Sequence, residues 1–173
     1  MKIQDIPTHK FLEQTPDLEN RLPADGACEL RLWLRLLSCT TLIENELRSR
    51  LRKKYKTTLP RFELMAQLAE QPEGLKMSEL SRKMLVTNGN ITGIADQLEK
   101  EGVVERQRVL HDRRSSVIRL TEKGQTLYKQ IALVYNRWVD EFFGPLSSDN
   151  KENLLAALNQ VKILARLNNK ENT

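Results

Sequence analysis

The chain has 173 residues, 39 % of them hydrophobic, and carries 28 lysines and arginines against 23 aspartates and glutamates, a formal charge of +5. This apolar content can bury a core in one domain or two small ones, and the mildly basic balance suits a polyanionic partner without requiring one. Cys28, Cys39, His9 and His111 are too few for a disulfide framework or an ordinary zinc site, and no apolar run approaches the ~20 residues of a membrane span.

The expectation is therefore a cytoplasmic protein with no metal, no cofactor and no membrane contact, because the N-terminus also lacks the apolar centre of a signal peptide. Positive charge is concentrated in two places. Residues 44–61 hold seven basic side chains against two acids, and residues 105–119 hold five against two. Residues 1–26, with Pro7, Pro16 and Pro23, read as an arm without regular structure.

A long helix is expected over about 27–55, apolar on more than one side through Leu30, Leu32, Leu34, Leu36, Leu37, Ile43, Leu47 and Leu51. Thr58 is placed to cap a second helix, with Pro60 in its first turn and Phe62, Met65, Ala66 and Ala69 inward; Pro72 and Gly74 end it. Ser78 is the expected cap of a third helix and Thr87 of a fourth. In the fourth, Ile91, Ile94, Ala95 and Leu98 repeat at helical spacing, and Gly102 supplies the left-handed end. Two strands follow, 103–109 and 116–120. Thr121 opens a second long helix whose stripe runs Leu127, Ile131, Val134, Tyr135, Trp138 and Phe142. Gly144 and Pro145 stop it, and Ser147 or Ser148 starts the last one.

The fold class implied is mainly α with a small β-hairpin wing: a winged helix-turn-helix over 58–121, flanked by N- and C-terminal dimerisation helices over 27–57 and 122–168. The two apolar termini are expected to bury one another across a two-fold axis in a homodimer.

The chemistry lies in the middle module. Thr87, Asn88, Asn90 and Thr92 open the fourth helix with groove-sized polar groups, asparagine being able to pair with adenine. Gly89 and Gly93 remove bulk there, although glycine inside a helix costs up to about 1 kcal/mol relative to alanine. Arg113 and Arg114 follow Asp112 at the expected hairpin tip, where an arginine suits a narrow minor groove and the aspartate fixes the turn. Lys76, Arg82, Lys83, Arg106 and Arg108 are candidate phosphate contacts, and Ser78 is a further candidate DNA-binding residue. Each of these groups also has a plain reading as a cap or a solvated charge.

The succession TLPRFELMAQLAE, MSELSRKMLVTNGNITGIADQLEKEGVVER and DRRSSVIRLTEKG resembles the MarR family of winged-helix regulators over about residues 29–164. The resemblance implies a dimer that binds duplex DNA and commonly releases it when a small aromatic acid enters a cleft beside the dimer helices. RLWLRLL and LVTNGNITG are most similar to the branch responding to aromatic acids and hydroxycinnamates. Here that cleft would use Arg31, Arg35, Trp33 and Ser38, with Phe62 and Met65 as an apolar wall. An arginine in an apolar helix needs a partner, supplied either by a carboxylate ligand or by an acid of the protein such as Glu29. Some relatives sense oxidants through a cysteine near the start of the first helix, a place Cys28 occupies; a buried, inert Cys28 is the alternative, and Cys39 is expected in the core.

Two other classes remain beside the DNA-binding regulator. For an enzyme there is no phosphate loop and no nucleophile–base set, since Ser115, Ser116 and His111 form no triad. A protein-interaction module with solvated basic faces is the other.

Overall fold

The computed structural model describes residues 28–84, 88–109 and 112–171. The expected arm over 1–26 and the cap residue Thr87 lie outside the described residues. In chain order the elements are α1 (Cys28–Tyr55), α2 (Leu59–Ala69), β1 (Leu75–Lys76), α3 (Met77–Met84), α4 (Asn88–Lys100), β2 (Val104–Val109), β3 (Asp112–Leu120), α5 (Glu122–Phe143) and α6 (Ser148–Glu171). They fall into two compact units, one of Met1–Ser38 and Arg137–Thr173, the other of Cys39–Asn136.

The Cys39–Asn136 unit holds a winged helix-turn-helix. Its sheet has three strands in the order β1-β3-β2, both pairings antiparallel, with Leu75 opposite Ile118 and Val104 opposite Leu120. β1 is absent from the sequence reading because two residues are too short to show alternation; it exists only through its hydrogen bonds to β3. β3 begins at Asp112 instead of 116, with a register shift between Arg108 and Val109. β3 is therefore longer than expected.

Leu51, Leu64, Met65, Leu68, Leu80, Ile91, Leu98, Val103, Ile118 and Ile131 form the buried core of this unit. α2 turns Leu64 and Leu68 inward more fully than the expected Ala66 and Ala69, which are half-buried. Burying the larger side chains removes more apolar area from water. Phe62 is buried too, its ring stacked on Tyr128 at 5.9 Å and lying 4.6 Å from Tyr135.

Several helix ends differ from expectation in detail. Thr58 occupies the N-cap position of α2 but makes no side-chain capping bond. Ser78 lies inside α3; the start of that helix is secured instead by Glu79, whose Oε2 accepts from the Lys76 backbone N–H at 2.8 Å, one half of a capping box. α4 ends as the glycine predicts. Gly102 has φ 69°, its N–H donates to the Glu99 carbonyl, and the Val103 N–H reaches back to Leu98, a full Schellman arrangement. Thr121 caps α5: its Oγ1 accepts from the Gly124 N–H at 3.0 Å and donates to the Gly102 carbonyl at 2.8 Å. A Cβ at Gly124 would run into the Val103 carbonyl, so glycine lets α5 leave the sheet this closely.

In the terminal unit, Gly144 closes α5 by donating its N–H to the Asp140 carbonyl, and Ser147 Oγ caps α6 through the Asn150 N–H at 3.2 Å. Large apolar side chains stand exposed on its helical stretches, among them Leu32 at 64 %, Trp33 at 57 % and Leu155 at 68 %. Cys39, expected in the core, is exposed, as are Cys28 and residues 40–42 of α1.

Lys56 ends α1 with φ 53°, a left-handed position usually held by glycine, and its N–H donates to the Arg52 carbonyl at 3.2 Å. Lys56→Gly is expected to stabilise the protein by up to about 1 kcal/mol by relieving the Cβ clash of that conformation. The measurement is the urea unfolding midpoint, at unchanged slope.

Candidate nucleic-acid interface

α3 and α4 follow one another as the two helices of a helix-turn-helix, and α4 is held by one buried face and by ion pairs at its C-terminal end. Ile91, Ala95 and Leu98 are fully buried along one face. Arg106 on β2 reaches across to α4, pairing with Asp96 and, through Nη1 at 2.9 Å, with Glu99. Arg61, in the first turn of α2, pairs with Glu101, and Lys123 Nζ of α5 donates to the Glu101 carbonyl at 2.6 Å. Three elements thus grip the C-terminal end of α4. Exposed pairs of this kind are each worth at most about 1 kcal/mol, but here they share one helix end and act together.

The other face of the first turns of α4 is open to solvent. Gly89, Asn90, Thr92 and Gly93 are all exposed. A Cβ built at Gly89 or Gly93 would meet no atom of the described residues within 4 Å, so none of them demands glycine at either position. Asn88 starts the helix, and its side chain lies outside the described residues.

Around this surface, Ser78 is exposed in the first turn of α3, and Arg82 and Lys83 are exposed in its last turn, with Lys76 exposed just before it. The backbone of Asp112, Arg113 and Arg114 forms the beginning of β3, and β2 ends at Val109. Their side chains, with that of Arg108, lie outside the described residues, and so does His111. Arg106 differs from the expectation of a phosphate contact: its guanidinium is occupied by α4 carboxylates and sets the attitude of that helix against the sheet. Arg119 likewise pairs with Glu105, directly opposite on β2, at 2.5 Å.

The residues proposed for a ligand are divided. Arg31, Trp33, Arg35 and Ser38 belong to the terminal unit, and both arginines already interact within the chain. Phe62 and Met65 belong to the other unit, where they are core: Met65 is fully buried and Phe62 lies against two tyrosines. As packed they offer no open wall. Their apolar character reported burial correctly, but a sequence does not say which buried residue lines a cavity and which fills the core. Among the described residues no group of histidine, cysteine, aspartate and glutamate could hold a metal ion, and no helix is long and apolar enough to cross a membrane.

The positioning residues Arg61, Asp96, Glu99, Glu101 and Lys123 escaped sequence reading. Asp96 and Glu99 are three apart and so share a helix face, but only the tertiary turn at Gly102 brings Arg106 back onto it.

One ionisable cluster stands apart from this surface. Glu63 on α2, Glu44 and Arg48 on α1, and Tyr135 on α5 face one another electrostatically. The Glu63 carboxyl is pushed above the usual carboxylate range, first by desolvation and then by Glu44, against a smaller opposing pull from Arg48. Tyr135 is also pushed up, by burial, then by Glu63 and Glu44. Arg48 is engaged with Glu44 at 2.8 Å. A raised acid binds its proton more tightly in the folded state, so ionised Glu63 weakens the fold at neutral pH and stability is recovered as pH falls through the raised value. Glu63→Gln should therefore raise the melting temperature at pH 8, and the gain should vanish at pH 3, where the native carboxyl is protonated folded or unfolded. Melting curves of both proteins across that range provide the check.

Compared with known proteins, residues 57–116 match the model of the MarR family. The regulator PrsX of Escherichia coli is 39 % identical over 93 residues; the match takes in 54 % of this chain, which spans about 55 % of that relative's length. A MarR family transcriptional regulator from Silicibacter pomeroyi superposes with a TM-score of 0.67 at 32 % identity, over 79 % of this chain and 94 % of that one. Sco3205 of Streptomyces coelicolor, a MarR family regulator solved in complex with DNA, shares the fold with a TM-score of 0.73 at 23 % identity, over 82 % and 91 % of the two chains.

Proposed function

This chain belongs to the MarR family of transcriptional regulators, and from that premise we propose that it binds duplex DNA as a homodimer and represses transcription until a small aromatic carboxylate releases it. The family is one of regulators, not enzymes. The observation that carries the reading is the division of α4: a C-terminal end fixed by Arg61, Arg106 and Lys123, and a leading end whose outer face presents Gly89, Asn90, Thr92 and Gly93 as exposed residues. A rigidly held helix with a slim, polar leading end suits a major groove about 12 Å wide. Arg113 and Arg114, at the start of β3, are the wing's candidates for the minor groove, and Asp112, Ser78, Arg82 and Lys83 complete the proposed contact set, with Thr87 and Asn88 at the head of the helix.

The dimer is supported by the terminal unit. Leu30, Leu32, Trp33, Leu154, Leu155, Leu158 and Leu164 are exposed in a single copy, an apolar surface that a soluble chain covers by association. Two copies would place their α4 helices on a pseudo-palindrome with half-sites about one helical turn apart. For the effector, the support is the pair Arg31 and Arg35, one turn apart on α1 beside Trp33 and Ser38, together with the likeness of these segments to regulators of aromatic-acid breakdown. A bidentate guanidinium–carboxylate pair would anchor the acid.

A salt titration of DNA binding tests the interface. Each phosphate contact contributes about one unit to the slope of log affinity on log salt, so Arg114→Ala should weaken binding and flatten that slope by about one. Arg106→Ala, which frees no phosphate contact, should weaken binding at unchanged slope. An unaltered slope in Arg114→Ala removes the wing from the interface. For the effector, a hydroxycinnamate or benzoate that binds the folded protein must raise its melting temperature. That rise should be lost in Arg31→Ala or Arg35→Ala, and its persistence in both would remove this anchor.

A further inference from the structure

Of the seven basic side chains in residues 44–61, three are engaged by acids: Arg48 by Glu44 at 2.8 Å, Arg50 by Glu46 at 2.7 Å, and Arg61 by Glu101. The other four, Arg52, Lys53, Lys54 and Lys56, form a collar at the C-terminal end of α1. All are exposed, and none meets a carboxylate among the described residues. Tyr55 among them is half-buried and donates its hydroxyl to the Gln130 carbonyl at 3.4 Å, which fixes this end of α1 against α5. The negative pole of a helix amounts to only about half a charge, so it accounts for one such cation and not for four. Lys56 adds a second observation. Its φ of 53° is a conformation that glycine holds at less cost, so the lysine places its cation at the turn against the preference of the backbone.

We propose that this collar is a second, sequence-independent DNA contact, which holds the phosphate backbone of the duplex outside the half-site that α4 meets. The proposal rests on the reading of α3, α4 and the wing as the DNA-binding surface. The link from α1 to α2 is only Thr57 and Thr58, and Arg61 in the first turn of α2 is paired with Glu101. The collar is thereby joined to the C-terminal end of α4 within one compact unit. α4 has 13 residues, on the order of 20 Å of helix, or about six base pairs of duplex. Phosphates at that separation lie beyond the bases met by the leading turns. A duplex carries one negative charge per ~1.7 Å of its axis, so unpaired cations find partners all along it. Three of the four are lysines, flexible point charges that need no fixed geometry. Lysine is depleted from interfaces between proteins, which favours a nucleic acid over an acidic protein as the partner. Such contacts read no base; they add affinity and salt dependence without altering the preferred sequence.

The test uses the full chain and a duplex that the native protein selects from a random library. The site is prepared in two lengths, the selected consensus alone and the consensus with about ten base pairs, one helical turn, of arbitrary sequence on each side. Binding is followed by fluorescence anisotropy over a range of salt concentrations. The native chain should bind the longer duplex more tightly and with a steeper slope of log affinity on log salt, whatever the sequence of the flanks. In the triple variant Arg52→Gln, Lys53→Gln, Lys54→Gln that slope should fall by about two to three units on the longer duplex, while binding to the consensus alone changes far less. Lys56→Gly should flatten the slope on the longer duplex by about one unit even as it stabilises the fold, a combination that structural damage does not produce. The proposal is overturned if the native chain binds both lengths alike. It is also overturned if the triple variant keeps the native difference between them, as it would with an acidic protein as the collar's partner, or if it loses equally on both. A library that yields no bound duplex overturns the DNA-binding reading itself, and this proposal falls with it.

Discussion

The grip on the C-terminal end of α4 is the constraint on which this winged unit depends. Arg106 ties the helix to the sheet, Arg61 ties it to α2, and Lys123 ties it to α5. None of these contacts is strong alone, because all are partly solvated. Their effect comes from convergence on a stretch of six residues, Asp96 to Glu101, immediately before the left-handed turn at Gly102. A helix fixed at one end by three neighbours has a defined direction, and its opposite end is free to project.

The same turn links the helix to the rest of the unit. Gly102 and Val103 deliver their carbonyls to the Thr121 hydroxyl, and Val103 also accepts from the Thr121 N–H at 3.1 Å. Gly124 then allows α5 to pass against the Val103 backbone. The end of α4, the start of β2 and the start of α5 are therefore one hydrogen-bonded junction. Substituting Gly124 would disturb all three at once, because the obstacle is backbone and has no rotamer to yield.

Much of this was legible in the sequence, and the reasons differ by element. α1, α4 and α5 were readable because each repeats apolar residues at helical spacing over several turns, and Gly102 because only a left-handed position makes use of glycine there. β1 was not, being two residues long and defined by its partner strand. Ser78 misled because a serine near a helix start invites a capping role, while the actual stabilising contact is a glutamate reaching back to Lys76. Cys39 misled because its place in mid-helix suggested burial, yet both it and Leu42 stand exposed. Arg106 could be seen as a cation near a DNA-binding surface, but its engagement by Asp96 and Glu99 requires the reversal of chain direction at Gly102. The chemical type of a residue is visible in sequence; which partner satisfies it depends on contacts between residues distant in the chain.

The two glycines at the head of α4 carry one more implication. Each lowers intrinsic helix stability by up to about 1 kcal/mol, so propensity alone does not hold these leading turns. Ile91, fully buried between the two glycines, supplies a tertiary anchor in the same turns. The start of the helix therefore owes its order to packing on one face, while its other face is left slim.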